Sequence, residues 1–428
     1  MDHATVASQS QSATGESQSA TGAVTDSISP AQFESDVRSF LEANAPKRSE
    51  ETFAWGEGSD SVGLFPERTP EQDAEELARA RAWARTVFDA GFGWITGPVD
   101  YGGRGLSREY QRIYNTLAAG FKMPSMSVYG IGLGMVAPTI QAHATEEVRH
   151  AYLLPMHRGD IVGCQLFSEP SSGSDLASLE TKAVRDGDEW LVTGQKVWTS
   201  GAQLSDIGEI ICRTDPDLPK HRGLTGFIVD MHAPGVEVRP LRQMTGGASF
   251  NEVFFTDVRV PDSHRLGDVN GGWTVALTTL MNERAAIGGG GGGLGLPTSR
   301  RLVELAHAKG RSGDPMIRQQ LASVIINERV AGYTNLRAMA KIAVGQLPGP
   351  EMSMGKLSLT ANMVRICDVL SSLLGPSLLA DTGAWGTYAW SQYLLGVPGM
   401  RVAGGTDEVL RNIIGERVLG LPKDPALN

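Results

Sequence analysis

The chain has 428 residues, enough for two or three domains around a large buried core. Its 38 Lys and Arg against 48 Asp and Glu give a net charge of -10, which argues against a nucleic-acid or anionic-membrane partner. The first cationic side chain is Arg38, so the start has neither the charged region of a secretory signal nor the Arg-rich face of a transit peptide, and a cytoplasmic location is the expectation.

Cys164, Cys212 and Cys367 are widely spaced and form no metal-ligand pattern, which fits a reducing compartment and predicts no metal site. No run of eighteen predominantly apolar residues stands out, so no membrane span is expected.

In chain order, residues 1–29 read as a disordered tail. QSATG occurs there twice, at 11–15 and 18–22, in a Ser, Thr, Gln and Gly tract with too little apolar area to offset ordering entropy. Residues 30–162 read as a helical domain: Leu77, Ala80, Ala84, Val87 and Phe88 fall on one helical face, and Gly91 stands as its terminator. A glycine-rich turn, GPVDYGGRGLS, interrupts the helical pattern.

Residues 163–265 read as a β domain, with short strands such as EWLVTGQKVWTS, IGEIICRTD and NEVFFTDVRVP. From 266 to 428 the period returns to helical, clearest in IRQQLASVIINERVAGYTNLRAMAKIAVGQ and GKLSLTANMVRICDVLSSLLG. Six consecutive glycines, 288–293, break that pattern, each costing an interior helix about 0.5–1 kcal/mol against Ala. Gly290, Gly292 and Gly295 match a dinucleotide-binding spacing, but no strand precedes them and a glycine run satisfies any glycine motif.

Two stretches carry chemistry. GCQLFSEPSSGSDLASL, 163–179, passes from an apolar strand into a loop whose hydroxyls and backbone N–H groups suit a polar ring edge or a phosphate, and an ordinary turn has the same composition. GQKVWTSGA puts Trp198 and Ser200 at a strand end, where the indole serves either as core or as cover for a flat ring.

These stretches, in order with GWITGPVDYGGRGLS, FNEVFFTDVRVP, GGWTVALTTLMNER and GGTDEVLRNIIGERVLGLP, resemble the acyl-CoA dehydrogenase family from about residue 30 to the end. The resemblance implies an α+β fold: an N-terminal helical domain, a middle β domain and a C-terminal four-helix bundle. It also implies FAD and the oxidation of a saturated acyl-CoA to a trans-2-enoyl-CoA. An electron-transfer flavoprotein is the implied acceptor, and a homotetramer or mixed tetramer the implied assembly.

By the same resemblance Gln165, Phe167, Ser168 and Ser174 lie along the flavin and the thioester arm, with Trp198 and Ser200 at the other face and edge. Thr406 and Glu408 touch the FAD from the last helix, beside Gly404 and Gly405 on the substrate side. Gly375 and Arg311 are implied cofactor contacts, although the family's usual pattern around that arginine is absent and a surface arginine fits equally well.

The reaction needs a base on the side of the substrate opposite the flavin, and a carboxylate desolvated against apolar substrate is well suited. In many members a Glu directly precedes the Gly-Thr pair of the last block. This chain has Gly404 there. Long-chain and isovaleryl members carry the Glu on an earlier helix instead, and the matching residue is Glu283, with Arg284 beside it to position the base or the CoA arm. Two other functions stay open on the same fold: a flavin monooxygenase or oxidase, and a non-catalytic subunit of a mixed tetramer.

Overall fold

The computed structural model describes residues 28–48, 55–65, 68–288, 299–343, 349–380, 382–386 and 389–423. The expected tail up to residue 27 lies outside them, as do residues 289–293 of the glycine run and the side chain of Arg284.

The N-terminal part is helical: α1 (Pro30–Asn44), α2 (Pro70–Asp89), α3 (Arg108–Ala118), a π-helical turn Gly132–Val136 that leads into α4 (Ala137–His143), and α5 (Glu146–Arg158). Local chemistry sets their ends. Ser29 caps α1 by accepting the Gln32 N–H at 3.2 Å, and Pro30 takes the first helical position, where its missing N–H costs nothing. Thr69 and Gln72 form a reciprocal capping box on α2. The apolar faces of α1 and α2 meet that of α3 in one core, with Phe33, Val37, Leu41, Trp83 and Tyr110 buried.

Eight strands follow: β1 (Gly163–Leu166), β2 (Lys182–Asp186), β3 (Glu189–Ser200), β4 (Ile207–Arg213), β5 (Leu224–Asp230), β6 (Val236–Leu241), β7 (Phe250–Pro261) and β8 (Arg265–Leu266). Their order is β6-β7-β3-β2-β4-β5-β8, and β1 adds in parallel to β4 with Gln165 in register beside Glu209. The sheet has two buried faces. Cys164, Leu166, Ile210, Cys212 and Phe227 enter a core of the β domain alone, whereas Phe167, Ile207, Ile211 and Ile228 pack against α4, α5 and the next helix.

That next helix is α6 (Gly272–Gly288), followed by α7 (Ser299–Ala308), α8 (Pro315–Ala343), α9 (Ser353–Leu374), α10 (Ala389–Val402) and α11 (Asp407–Arg417). The expected four-helix bundle is thus accompanied by two shorter helices, α7 and α11, and its core is built from residues such as Leu302, Leu370, Trp390 and Tyr393.

Against the expectation that no such run exists, the segment Pro350–Leu378 is long and apolar enough to cross a membrane by length and composition alone. Met363, Ile366, Val369, Leu370 and Leu373 of this segment sit in the bundle core, which accounts for its apolar character.

Candidate active site

Strand β1 ends at Leu166, and the chain turns through Phe167, Ser168 and Glu169. The buried Lys196 of β3 fixes this turn: its ammonium donates to the Phe167 carbonyl at 3.0 Å and to Glu169 Oε1 at 2.9 Å. Glu169 also accepts the backbone N–H groups of Glu180 and Thr181 at 2.6 and 2.9 Å. Burial works to raise the Glu169 pKa, but the Lys196 charge and these hydrogen bonds hold it below the usual carboxylate range. Burial also lowers the Lys196 pKa, against the attraction of Glu169.

The same strand carries Trp198 at the end of its ladder. The Val197 N–H donates to the Ser168 carbonyl at 2.8 Å, so the two predicted segments lie side by side. Between Lys196 and Thr199 the register with β7 shifts, and Trp198 takes φ 61°, a left-handed conformation rare outside glycine. The bulge turns the indole outward, 56% exposed, with its ring 5.9 Å from Phe250. Phe250 in turn meets Phe65, which packs on the bundle core, and Ser200 lies in register opposite Phe250. Backbone strain that exposes a large aromatic is a feature of ligand sites. Phe250 is absent from the sequence-derived set; its place directly opposite Ser200 was not visible before the β3–β7 pairing was known.

The second group lies at the start of α11. Gly404 and Gly405 adopt φ 66° and 91°, open to glycine at little cost, and Thr406 caps α11 by accepting the Val409 N–H at 3.2 Å. Asp407 is buried and accepts from Thr360 at 2.8 Å, Arg401 at 2.8 Å and Lys356 at 3.3 Å. Lys356 also donates to the carbonyls of Gly405 and Arg401, at 2.8 and 3.0 Å. A buried charge network therefore shapes the glycine turn. Glu408 is exposed, with Arg411 3.6 Å away.

Arg311 and Gly375 form a third group. Arg311 binds Asp314 at 2.6 Å and donates to the Ser372 carbonyl at 3.3 Å, near Gly375, which ends α9 at φ 50°. The Asp314 pairing gives Arg311 a structural partner within its own turn.

Glu283 lies on α6, the helix between the sheet and the bundle: Val275 and Ala276 join the core against the sheet, and α6 also packs on α9. Thr279 of α6 contacts the Glu209 carboxyl of β4, and Glu283 follows one helical turn later on the same face.

The residues fit a flavin dinucleotide. An outward indole, the hydroxyls of Ser168, Ser174 and Ser200 around the β1 and β3 ends, and a capped helix N-terminus behind two left-handed glycines suit a flat polar ring with an anionic tail.

Comparison with known proteins gives the same picture. Family descriptions for the acyl-CoA dehydrogenase N-terminal, middle and C-terminal domains match residues 59–160, 164–258 and 270–419. The acyl-CoA dehydrogenase FadE34 of Mycobacterium tuberculosis is 41% identical over 327 residues, which is 76% of this chain and 44% of that protein. The chain therefore spans less than half the length of FadE34. The acyl-CoA dehydrogenase IpdE1 of the same organism is 35% identical over 363 residues, 83% of this chain and 91% of its own. Among solved structures, the Tcur3481-Tcur3483 steroid ACAD superposes with a TM-score of 0.69 at 27% identity, covering 93% of this chain and 99% of its own. The chain belongs to the acyl-CoA dehydrogenase family, whose members are FAD-dependent oxidoreductases.

Proposed function

We propose that the protein oxidises the α,β bond of a saturated acyl-CoA thioester to the trans-2-enoyl-CoA, with Glu283 as the base. The observation that carries the reading is the position of Glu283 on α6, one turn beyond the contact between Thr279 and the β4 strand that lies beside Gln165. Gly404 supports it: a residue without a side chain stands where other members hold their base, leaving room for a carboxylate from α6.

FAD, when bound, supplies the hydride acceptor, and an electron-transfer flavoprotein is the proposed onward acceptor. The protein's part is positional and electrostatic. Trp198 would cover the ring, and Ser168 and Ser200 would hydrogen-bond its edge. Glu283 takes the α proton from the opposite side of the substrate. Arg284 steadies the base or the CoA arm, while Glu408, Gly375 and Arg311 complete the cofactor contacts.

The proposed acyl group is a bulky, steroid-derived one, by likeness to the steroid ACAD. An apolar stripe on α8, where Ile326, Val330 and Tyr333 are exposed at helical spacing, supports assembly into a homotetramer. A mixed tetramer is the second reading, favoured because FadE34 has more than twice the matched length and the steroid ACAD carries two chain names. A cytoplasmic location remains the proposal from the sequence.

The test is an anaerobic titration with short, branched, long and steroid-derived acyl-CoAs, following the flavin absorbance. Bleaching by a steroid-derived thioester is expected. Full FAD occupancy without bleaching by any thioester would overturn the reading.

A further inference from the structure

Strand β4 carries one acid in an otherwise apolar run, Glu209, which is fully buried. Alternation sends Ile207, Glu209 and Ile211 to the sheet face covered by α4 and α6, and Gln165 stands in register beside it. The acid is therefore next to a predicted site residue and under the helix that carries Glu283.

A line of hydroxyls leads away from it. Glu209 Oε1 is 2.5 Å from Thr279 Oγ1, which is 2.8 Å from Thr139 Oγ1, which is 2.9 Å from the Met135 carbonyl. Met135 belongs to the π-helical turn Gly132–Val136, an irregularity that recurs at functional sites. His143 Nε2, 2.8 Å from Thr278 Oγ1, is a second strut between α4 and α6.

Thr279 Oγ1 also lies 3.3 Å from the Val275 carbonyl of its own helix, and with the Thr279 proton given to the shorter contact, proton counting sets one direction for this line. A carbonyl only accepts and each hydroxyl has one proton. If Thr139 donates to Met135, then Thr279 donates to Thr139, and the proton in the first contact comes from Glu209. All three contacts are hydrogen bonds only when Glu209 is a carboxylic acid; Oε2, without a partner among the described residues, is then its carbonyl oxygen. Ionised, the acid reverses the line and releases Met135.

Burial raises the Glu209 pKa to about 8; in the ionised form a hydrogen bond donated by Thr279 opposes that rise. On the elements packed around it the ionisable residues are His143 of α4, Glu283 and Arg284 of α6, Cys212 and Arg213 of its own strand, Cys164 of β1, Lys182, Arg185 and Asp186 of β2, and Asp230 of β5.

We propose that Glu209 is a positioning residue for Glu283: as a neutral acid it holds, through Thr279 and Thr139, the preceding turn of α6 in register against β4 and the π-helical turn. The inference rests on the reading of Glu283 as base.

The test compares FAD-loaded wild type, Glu209→Gln and Thr279→Val by anaerobic flavin reduction from pH 6 to 9.5 and by hydrogen exchange of the 272–283 segment. Glu209→Gln keeps a donor and the shape, so reduction within about threefold of wild type at pH 7 is expected, without the wild-type loss of rate above pH 8. Thr279→Val cuts the line: reduction slows by about tenfold or more with acyl-CoA affinity little changed, and 272–283 exchanges faster. Wild-type exchange in Thr279→Val, or an unchanged alkaline limb in Glu209→Gln, would overturn the inference. If no acyl-CoA reduces wild type, the dehydrogenase reading fails by itself, and hydrogen exchange alone decides whether Glu209 holds α6.

Discussion

Lys196 Nζ of β3 lies 2.9 Å from Glu169 Oε1, and both side chains are almost wholly withdrawn from water. The pair ties the strand that bears Trp198 to the turn that bears Ser168. Removing one partner strands the other charge in the interior, so Glu169→Leu is expected to cost about 3–5 kcal/mol in urea unfolding. Replacing both, with Lys196→Met added, should recover most of that stability. A single substitution costing under about 1 kcal/mol would contradict this role.

Trp198 gives the opposite pattern. Its ring is more than half exposed and its backbone is left-handed, so Trp198→Gly relieves strain and removes little buried area. Stability should change by less than about 1 kcal/mol, while FAD affinity, read by flavin fluorescence, falls about tenfold or more. Unchanged affinity would remove Trp198 from the cofactor site.

The succession of helices, strands and helices was legible because hydrophobic period is a local property, and Thr406 was legible as a cap because capping needs only neighbours. The pairing of β1 with β4 was not, since it joins residues more than forty positions apart. Two signals in the sequence went unused. Glu209 interrupts IGEIICR, a run that reads as buried on both faces, and Lys196 directly precedes Val197 and Trp198 in a strand. A charge in such a run marks a buried partner. Asp407 has a structural role that the sequence did not mark, because two of the partners that define it, Lys356 and Thr360, come from α9 and have no local signature.

Glu209 and Asp407 give stability opposite dependences on pH. The Glu209 pKa rises from an ordinary 4.5 to about 8 on folding, so its contribution is full below pH 4.5 and is lost as pH climbs towards 8. Thermal unfolding should show Glu209→Gln gaining on wild type between pH 5 and 8. Parallel curves would contradict a buried acid.

For Asp407, burial works to raise the pKa, but Arg401, Thr360 and Lys356 hold it below the ordinary 3.8. Its contribution is present above pH 3.8 and disappears as pH falls through the folded value. Asp407→Asn should lose about 3 kcal/mol at pH 7, with the gap to wild type closing near pH 3, and should bind FAD more weakly as the Gly404–Gly405 turn loosens. A gap that stays constant with pH would exclude the charged pairing.

The central claim is that Glu283 takes the α proton. Its most direct test is the rate of anaerobic flavin bleaching by a reactive acyl-CoA in wild type and Glu283→Gln, both with full FAD occupancy. The account predicts unchanged thioester binding and a rate lowered by about 10³-fold or more in the variant. Bleaching at a rate within about tenfold of wild type would place the base elsewhere.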